Sequence, residues 1–292
     1  MTSHLPRPHL PHVRPAALHQ PPRIGIANLM PHAEQFAGML LPQFAAAAPF
    51  EPVMIRMRDR RYSLDSPQYI ERLYVPIEDA GELDAIIITG AAVEHLPFSE
   101  VRYLDEIADM IRPLAERDVP VLGLCWGALA VGHLLLGLSS AIYEQKVSGA
   151  YETDLLVGDH VIGKGLDDRF WTAHSRYAGF DESTVDTAVV EGRLRVLARA
   201  GSPADTVIAE SVDHTALMHI GHPEYEGSRL ADEYKRDVGK GLPNVLPPAN
   251  VDLGQPVCQW RSASRVFFAN WVELVYERAI ARQSHASAAV GG

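Results

Sequence analysis

The sequence is short of cysteine, of basic charge and of long apolar runs, and each shortage excludes something. Cys125 and Cys258 are the two cysteines among 292 residues. They make no disulfide framework, and a reactive thiol wants a reducing compartment. No run approaches the roughly 18 apolar residues of a membrane span, and the N-terminus shows no apolar signal-peptide core. With 26 Lys and Arg against 37 Asp and Glu, the formal net charge is −11. That balance argues against non-specific binding to nucleic acid or an anionic membrane, but permits a local basic pocket. A cytoplasmic enzyme acting on small molecules is the expectation. Hydrophobic residues at 47% and charged residues at 22% are enough to build a sizeable core.

What is present is a short motif, Gly123-Leu124-Cys125-Trp126-Gly127. An apolar run, Val119 to Leu122, precedes it, and a helix-like run, Ala128 to Leu136, follows. A core cysteine has no need of glycines at both second neighbours, whereas a tight strand-to-helix turn does. Such a turn exposes the thiol at a helix N-terminus, where backbone N–H groups lower a thiol's pKa and can hold an oxyanion. Further along, Gly221-His222-Pro223-Glu224 ends an apolar run, Ala216 to Ile220, that a strand could bring to the sheet edge. The pair reads as a Cys125-His222-Glu224 triad of nucleophile, base and orienting carboxylate.

Residues 1–22 carry six prolines and four histidines without apolar periodicity, which predicts a disordered arm and no metal site. Strands are predicted over 23–28, 52–57 and 84–90, with helices over 33–44 and 103–116 and then the strand that carries Cys125. Apolar strands alternating with helices indicate a doubly wound, mostly parallel α/β sheet covered on both faces, with ligands at the strand C-terminal ends. From 142 to 220 the segments shorten, His160–Gly163 and Arg193–Leu197 among them, and predict antiparallel strands closing the sheet. Helices return over 228–240 and 266–282. The intervening loop, 241–256, holds four prolines and is expected to be an ordered loop or lid. The domain expectation is an arm over 1–22, a single domain over 23–282 and a flexible tail over 283–292.

Six further motifs occur in order: Asn28-Leu29-Met30-Pro31, Thr89-Gly90-Ala91, Lys146 to Glu152, His174-Ser175-Arg176-Tyr177, Gly221 to Tyr225, and Trp260-Arg261-Ser262. Over roughly 23–282 the chain resembles the homoserine O-acetyltransferase and O-succinyltransferase family of methionine biosynthesis, built on the class I glutamine amidotransferase fold. The resemblance implies that Cys125 takes the acyl group, with His222 as base and Glu224 orienting it. Lys146, Ser175 and Arg236 match amino-acid-substrate positions, and Glu233 lies one helical step from Arg236, so the two can supply an anion and a cation for a zwitterion. The backbone N–H groups of Trp126 and Ala91 are the expected oxyanion donors. Glu94, three residues beyond the Thr-Gly-Ala turn, resembles the family's donor selector, where the resemblance implies that glutamate goes with acetyl-CoA and glycine with succinyl-CoA. The chain departs from the family pattern in a shortened, lysine-free segment after Pro31, in Asn244 to Pro247, and in Ala263. All three are expected at the rims of the CoA or amino-acid pocket.

These readings predict a ping-pong acetyl transfer from acetyl-CoA, a co-substrate, to the hydroxyl of L-homoserine, with no permanently bound cofactor and no metal. L-serine O-acetyl transfer is the runner-up, followed by homoserine O-succinyl transfer, glutamine hydrolysis and a non-catalytic binding module. Partners are small molecules, neither nucleic acid nor membrane, with a homodimer left open. Cys258 is read as an inert thiol. The arginines from Arg56 to Arg61 are read as an exposed cluster, with CoA phosphates as the alternative.

Overall fold

A computed structural model describes residues 18, 20–201, 205–242 and 244–290, with side chains as far as 284. The strands are β1 (Arg23–Ala27), β2 (Glu51–Ile55), β3 (Ala85–Ile88), β4 (Val121–Leu124), β5 (Ser140–Leu155), β6 (Arg169–Phe180), β7 (Leu194–Ala200), β8 (Thr206–Ser211) and β9 (Ala216–His219). The helices are α1 (Ala33–Leu40), α2 (Pro67–Leu73), α3 (Leu104–Ala115), α4 (Trp126–Leu136), α5 (Glu182–Val190), α6 (Arg229–Gly239) and α7 (Arg261–Val290).

All nine strands join one sheet in the order β2-β1-β3-β4-β9-β8-β7-β5-β6. It is parallel from β2 to β9 and antiparallel from β9 to β6. Successive strand residues point to opposite faces. Ile86, Ile88 and Val121 therefore pack with α3 and α4, while Ile24, Ile26, Ile87 and Leu122 pack with α1 and α7. Two covered faces are why these strands read as continuous apolar runs.

Two expectations need correction, and a third, the ordered loop, is met. His160–Gly163 is not a strand but one 3-10 turn over Val161–Gly163, held where the His160 side chain accepts from the Ile162 N–H. The tail expected from 283 continues α7 as helix to Val290. The loop over 241–256 is tied down: Ala150 N–H donates to Ala249 O at 2.9 Å, and Ala249 N–H donates to Ser148 O at 2.9 Å. Gly149 permits that approach, because a Cβ there would lie 2.4 Å from Ala249 O. Most of the expected arm, 1–17 and 19, lies outside the described residues; Leu18 packs against the core on the face that α1 and α7 cover. Among the described residues, no helix is long and apolar enough to cross a membrane.

Candidate active site

The turn between β4 and α4 sets Cys125 at φ 52° and ψ −118°, a conformation L-residues rarely adopt. The flanking glycines make it sterically attainable. A Cβ on Gly123 would lie 2.5 Å from Ala128 Cα, and one on Gly127 would lie 2.2 Å from Ile88 O. The Cys125 N–H is spent on His219 O at 2.8 Å, which ties the turn to β9. Trp126 is the first residue of α4, so its N–H has no partner within the helix. The Thr89-Gly90-Ala91 turn closes the other side, since a Cβ on Gly90 would touch Cys125 Cβ at 3.4 Å and His222 Cε1 at 3.5 Å.

β9 ends at His219, and the chain carries His222 to the same edge, where its N–H donates to Ala173 O at 2.7 Å. His222 Nδ1 lies 2.7 Å from Oε1 of the fully buried Glu224. A carboxylate only accepts, so Nδ1 carries the proton and Nε2 is left for Cys125. The ring stacks on Tyr225, with centroids 4.0 Å apart. Burial opposes a charge on His222, but a Cys125 thiolate and Glu224 both favour it and outweigh burial. They lift its pKa well above the ordinary imidazole value. The arrangement supports nucleophilic attack by sulfur with proton relay through imidazole.

Cys125 and His222 open into a pocket of about 320 Å³. The sequence-predicted Ala91, Glu94, Lys146, Ser175, Glu233 and Arg236 all line it. Strand periodicity explains the motif on β6: Ser175 and Tyr177 face the pocket, while Arg176 turns away to a buried ion pair with Asp205. Lys146 lies in the irregular stretch between Ile142 and Val147 where the β5–β6 register shifts, a device that re-aims a side chain. Glu233 is a hub. Its oxygens accept from Ser175 Oγ and from Tyr225 OH at 3.0 Å, and Lys146 Nζ and Arg229 Nε lie at 3.7 and 3.4 Å. Burial raises its pKa, but Lys146, Ser175 and Arg229 more than reverse that, so it is held below the ordinary carboxylate value. Arg236 reaches Glu233 only at 3.9 Å and pairs more closely with Asp237. Glu94 sits beside the sulfur, Oε1 being 3.9 Å from Cys125 Sγ. Burial pushes its pKa up to about 7, against the pull of His222 and Lys146.

Sequence reasoning missed Asp237, Tyr225, Tyr177 and Arg229 as pocket residues. A signal for Asp237 existed, because it follows Glu233 by four residues and so shares its helix face. Of the expected rim departures, the shortened segment His32 to Phe36 is not among the pocket's lining, which ends at Pro31 just before it. Ala263 instead faces interior space beside Phe170, His219 and Trp260, and residues 244–247 are not among the pocket's lining. Arg58 pairs with Glu78 at 3.4 Å, and Arg60 donates to Met30 O at 2.8 Å, so two arginines of that cluster have internal work. Cys258 is half-buried against Gly227, and burial raises its pKa.

Among the described residues, His160, Glu210 and His214 are a group with metal-ligand chemistry, their ligand atoms within 4.8 Å of one another. Hydrogen bonding accounts for them better. His160 Nδ1 accepts the Ile162 N–H, so Nε2 carries the ring proton and lies 2.8 Å from Glu210 Oε1 rather than being free to ligate. Burial pushes Glu210 up, but the two histidines outweigh it and hold its pKa below the ordinary value.

Residues 16–281 match the model of a family described as homoserine O-succinyltransferase. The chain belongs to that family. Its relatives carry two names. A homoserine O-acetyltransferase of Desulfovibrio desulfuricans is 32% identical over 87% of this chain and 82% of its own length. A homoserine O-succinyltransferase of Proteus mirabilis is 30% identical over 87% and 83%. In fold, the chain is similar to a glutamine amidotransferase from Thermotoga maritima, with TM-score 0.55 and 14% identity over 91% of this chain and 98% of that one. A second, from Methylobacillus flagellatus, has TM-score 0.50 and 17% identity over 90% and 94%. This chain thus shares its fold with glutamine amidotransferases, as its sequence motifs imply.

Proposed function

We propose that this chain transfers an acetyl group from acetyl-CoA to the side-chain hydroxyl of L-homoserine through a Cys125 acyl-enzyme. The observation that carries the reading is the convergence of Cys125, His222 and the charged side chains Lys146, Glu233 and Arg236 on one pocket. The Cys125 thiolate attacks the thioester carbonyl, and the N–H groups of Trp126 and Ala91 receive the oxyanion. Each such donor typically contributes about 3–4 kcal/mol. The intermediate collapses by breaking the carbon–sulfur bond to CoA, whose thiolate takes the proton from His222. Homoserine then enters, and His222 removes its hydroxyl proton as the oxygen attacks the acyl carbonyl. Collapse expels the Cys125 thiolate and restores the starting state. Every step uses this chain's own groups and the two substrates. O-acetylhomoserine would feed methionine or related sulfur amino-acid biosynthesis, in a cytoplasm that keeps the thiol reduced.

The choice of acetyl rests on Glu94. Its carboxylate beside the sulfur fills the space a succinyl tail would take and sets like charge against the succinyl carboxylate. L-serine remains the rival acceptor, since one methylene discriminates by only about 1–3 kcal/mol. Steady-state CoA release tests both choices. The expected result is highest kcat/KM with acetyl-CoA and homoserine, and no turnover in Cys125→Ala. A decisive preference for serine or for succinyl-CoA would replace the acceptor or the donor named here.

A further inference from the structure

Asp237 lies one helical turn beyond Glu233 on α6 and is buried. Its two oxygens are divided between two cations of the pocket. Oδ1 accepts from Arg236 Nε at 2.8 Å and lies 2.7 Å from Nη2, while Oδ2 accepts from Lys146 Nζ at 3.3 Å. Consecutive residues on a helix point about 100° apart, so Arg236 must curl back to make this contact. The consequence is directional. With its Nε edge taken, the planar guanidinium presents the remaining Nη1–Nη2 edge as a fork. Glu233 does not occupy that fork, since Nη1 stands 3.9 Å from its Oε1, beyond hydrogen-bond range. Lys146 likewise keeps donors to spare, because its ammonium has three and Glu233 at 3.7 Å attracts it without a hydrogen bond. Glu233 does not duplicate Asp237: its oxygens accept from Ser175 and Tyr225, while Lys146 and Arg236 stand from it at 3.7 and 3.9 Å, beyond hydrogen-bond range.

We propose that Asp237 is the positioning residue of the acceptor site, fixing Lys146 and the free edge of Arg236 as a two-point clamp for the acceptor's carboxylate. This rests on the reading of the pocket as an amino-acid site. Charge alone predicts the opposite effect. An anion beside the clamp repels an incoming carboxylate, so deleting it would tighten binding if aim did not matter. Positioning predicts weaker binding, because both cations lose the partner that orders them.

The test compares Asp237→Asn and Asp237→Glu with the wild-type chain. Acceptors are L-homoserine and the amino alcohol that lacks its carboxylate, and Cys125 acylation by acetyl-CoA alone is followed in parallel. Asp237→Asn should raise the homoserine KM by about tenfold to a hundredfold, the scale of a lost charge-assisted hydrogen bond. Asp237→Glu should restore part of the loss. The amino alcohol and the acylation rate should change by no more than about twofold, since neither uses the clamp. An unchanged or lower homoserine KM would overturn the proposal, and so would equal losses for both acceptors and for acylation. Calorimetric homoserine affinity reads the same difference without an acyl donor. A wild type that fails to acylate would therefore count against acyl transfer while leaving the Asp237 comparison intact.

Discussion

Glu94 joins two properties in one side chain, bulk beside the sulfur and a pKa pushed up to about 7 by burial. Below that pH it is neutral and only its bulk opposes a succinyl tail; above it, charge is added. The preference for acetyl-CoA over succinyl-CoA should therefore grow as pH rises through about 7, measured as the ratio of kcat/KM values. Glu94→Gln keeps the bulk and should flatten that slope, whereas Glu94→Gly should improve succinyl-CoA use by about tenfold or more. A wild-type ratio that does not move with pH would remove charge from the account. At this scale the sequence was legible wherever a residue type is chemically scarce: a cysteine between glycines, or a histidine two residues before a glutamate. It was less legible for Asp237 and Arg229, because charged residues on an exposed-looking helix are usually solvated. Only their contacts in the fold, Asp237 with Lys146 of β5 and Arg229 with Glu233 and the Tyr225 ring, give them a role.

Among the elements, the turn from β4 into α4 makes the sharpest demand. Gly127 → Ala would place a Cβ 2.2 Å from Ile88 O, which is backbone and cannot rotate away. α4 would have to shift, at a cost of about 1–3 kcal/mol. Because a misplacement of about 1 Å can cost a hundredfold in rate, kcat/KM should fall much further than stability. Chemical denaturation and steady-state kinetics on the same variant check this, and an alanine variant with wild-type activity would contradict the geometry. The glycines of this turn could be read from the sequence because nothing else satisfies them. His160–Gly163 could not, since a short β-branched segment reads as strand and only the His160 side chain bonding to Ile162 N–H settles it as a turn. The end of α7 was lost for another reason. Ala, Ser and His after Arg282 carry no apolar period, although alanine-rich sequence favours helix intrinsically.

For the whole molecule, unbroken apolar strands and intervening helices foretold a sheet covered on both faces, and clusters of core residues pack on each side of it. The long antiparallel pair β5–β6 was less visible, because much of β5 is only half-buried and because Lys146, Ser175 and Tyr177 serve the pocket rather than the core. Together with α6, which brings Arg229, Arg236 and Lys240, β5 concentrates cations in an otherwise acidic chain: these three and Lys146 line one pocket while the net charge is −11. Such a pocket suits an anionic substrate group without drawing the protein to nucleic acid. The central claim is that the pocket transfers an acyl group by way of Cys125. Intact-protein mass spectrometry of the wild-type chain with acetyl-CoA alone, followed by homoserine, tests it most directly. The account predicts one added acetyl group on Cys125 that homoserine then removes as O-acetylhomoserine. A chain that turns over acetyl-CoA and homoserine without ever carrying that adduct would contradict it.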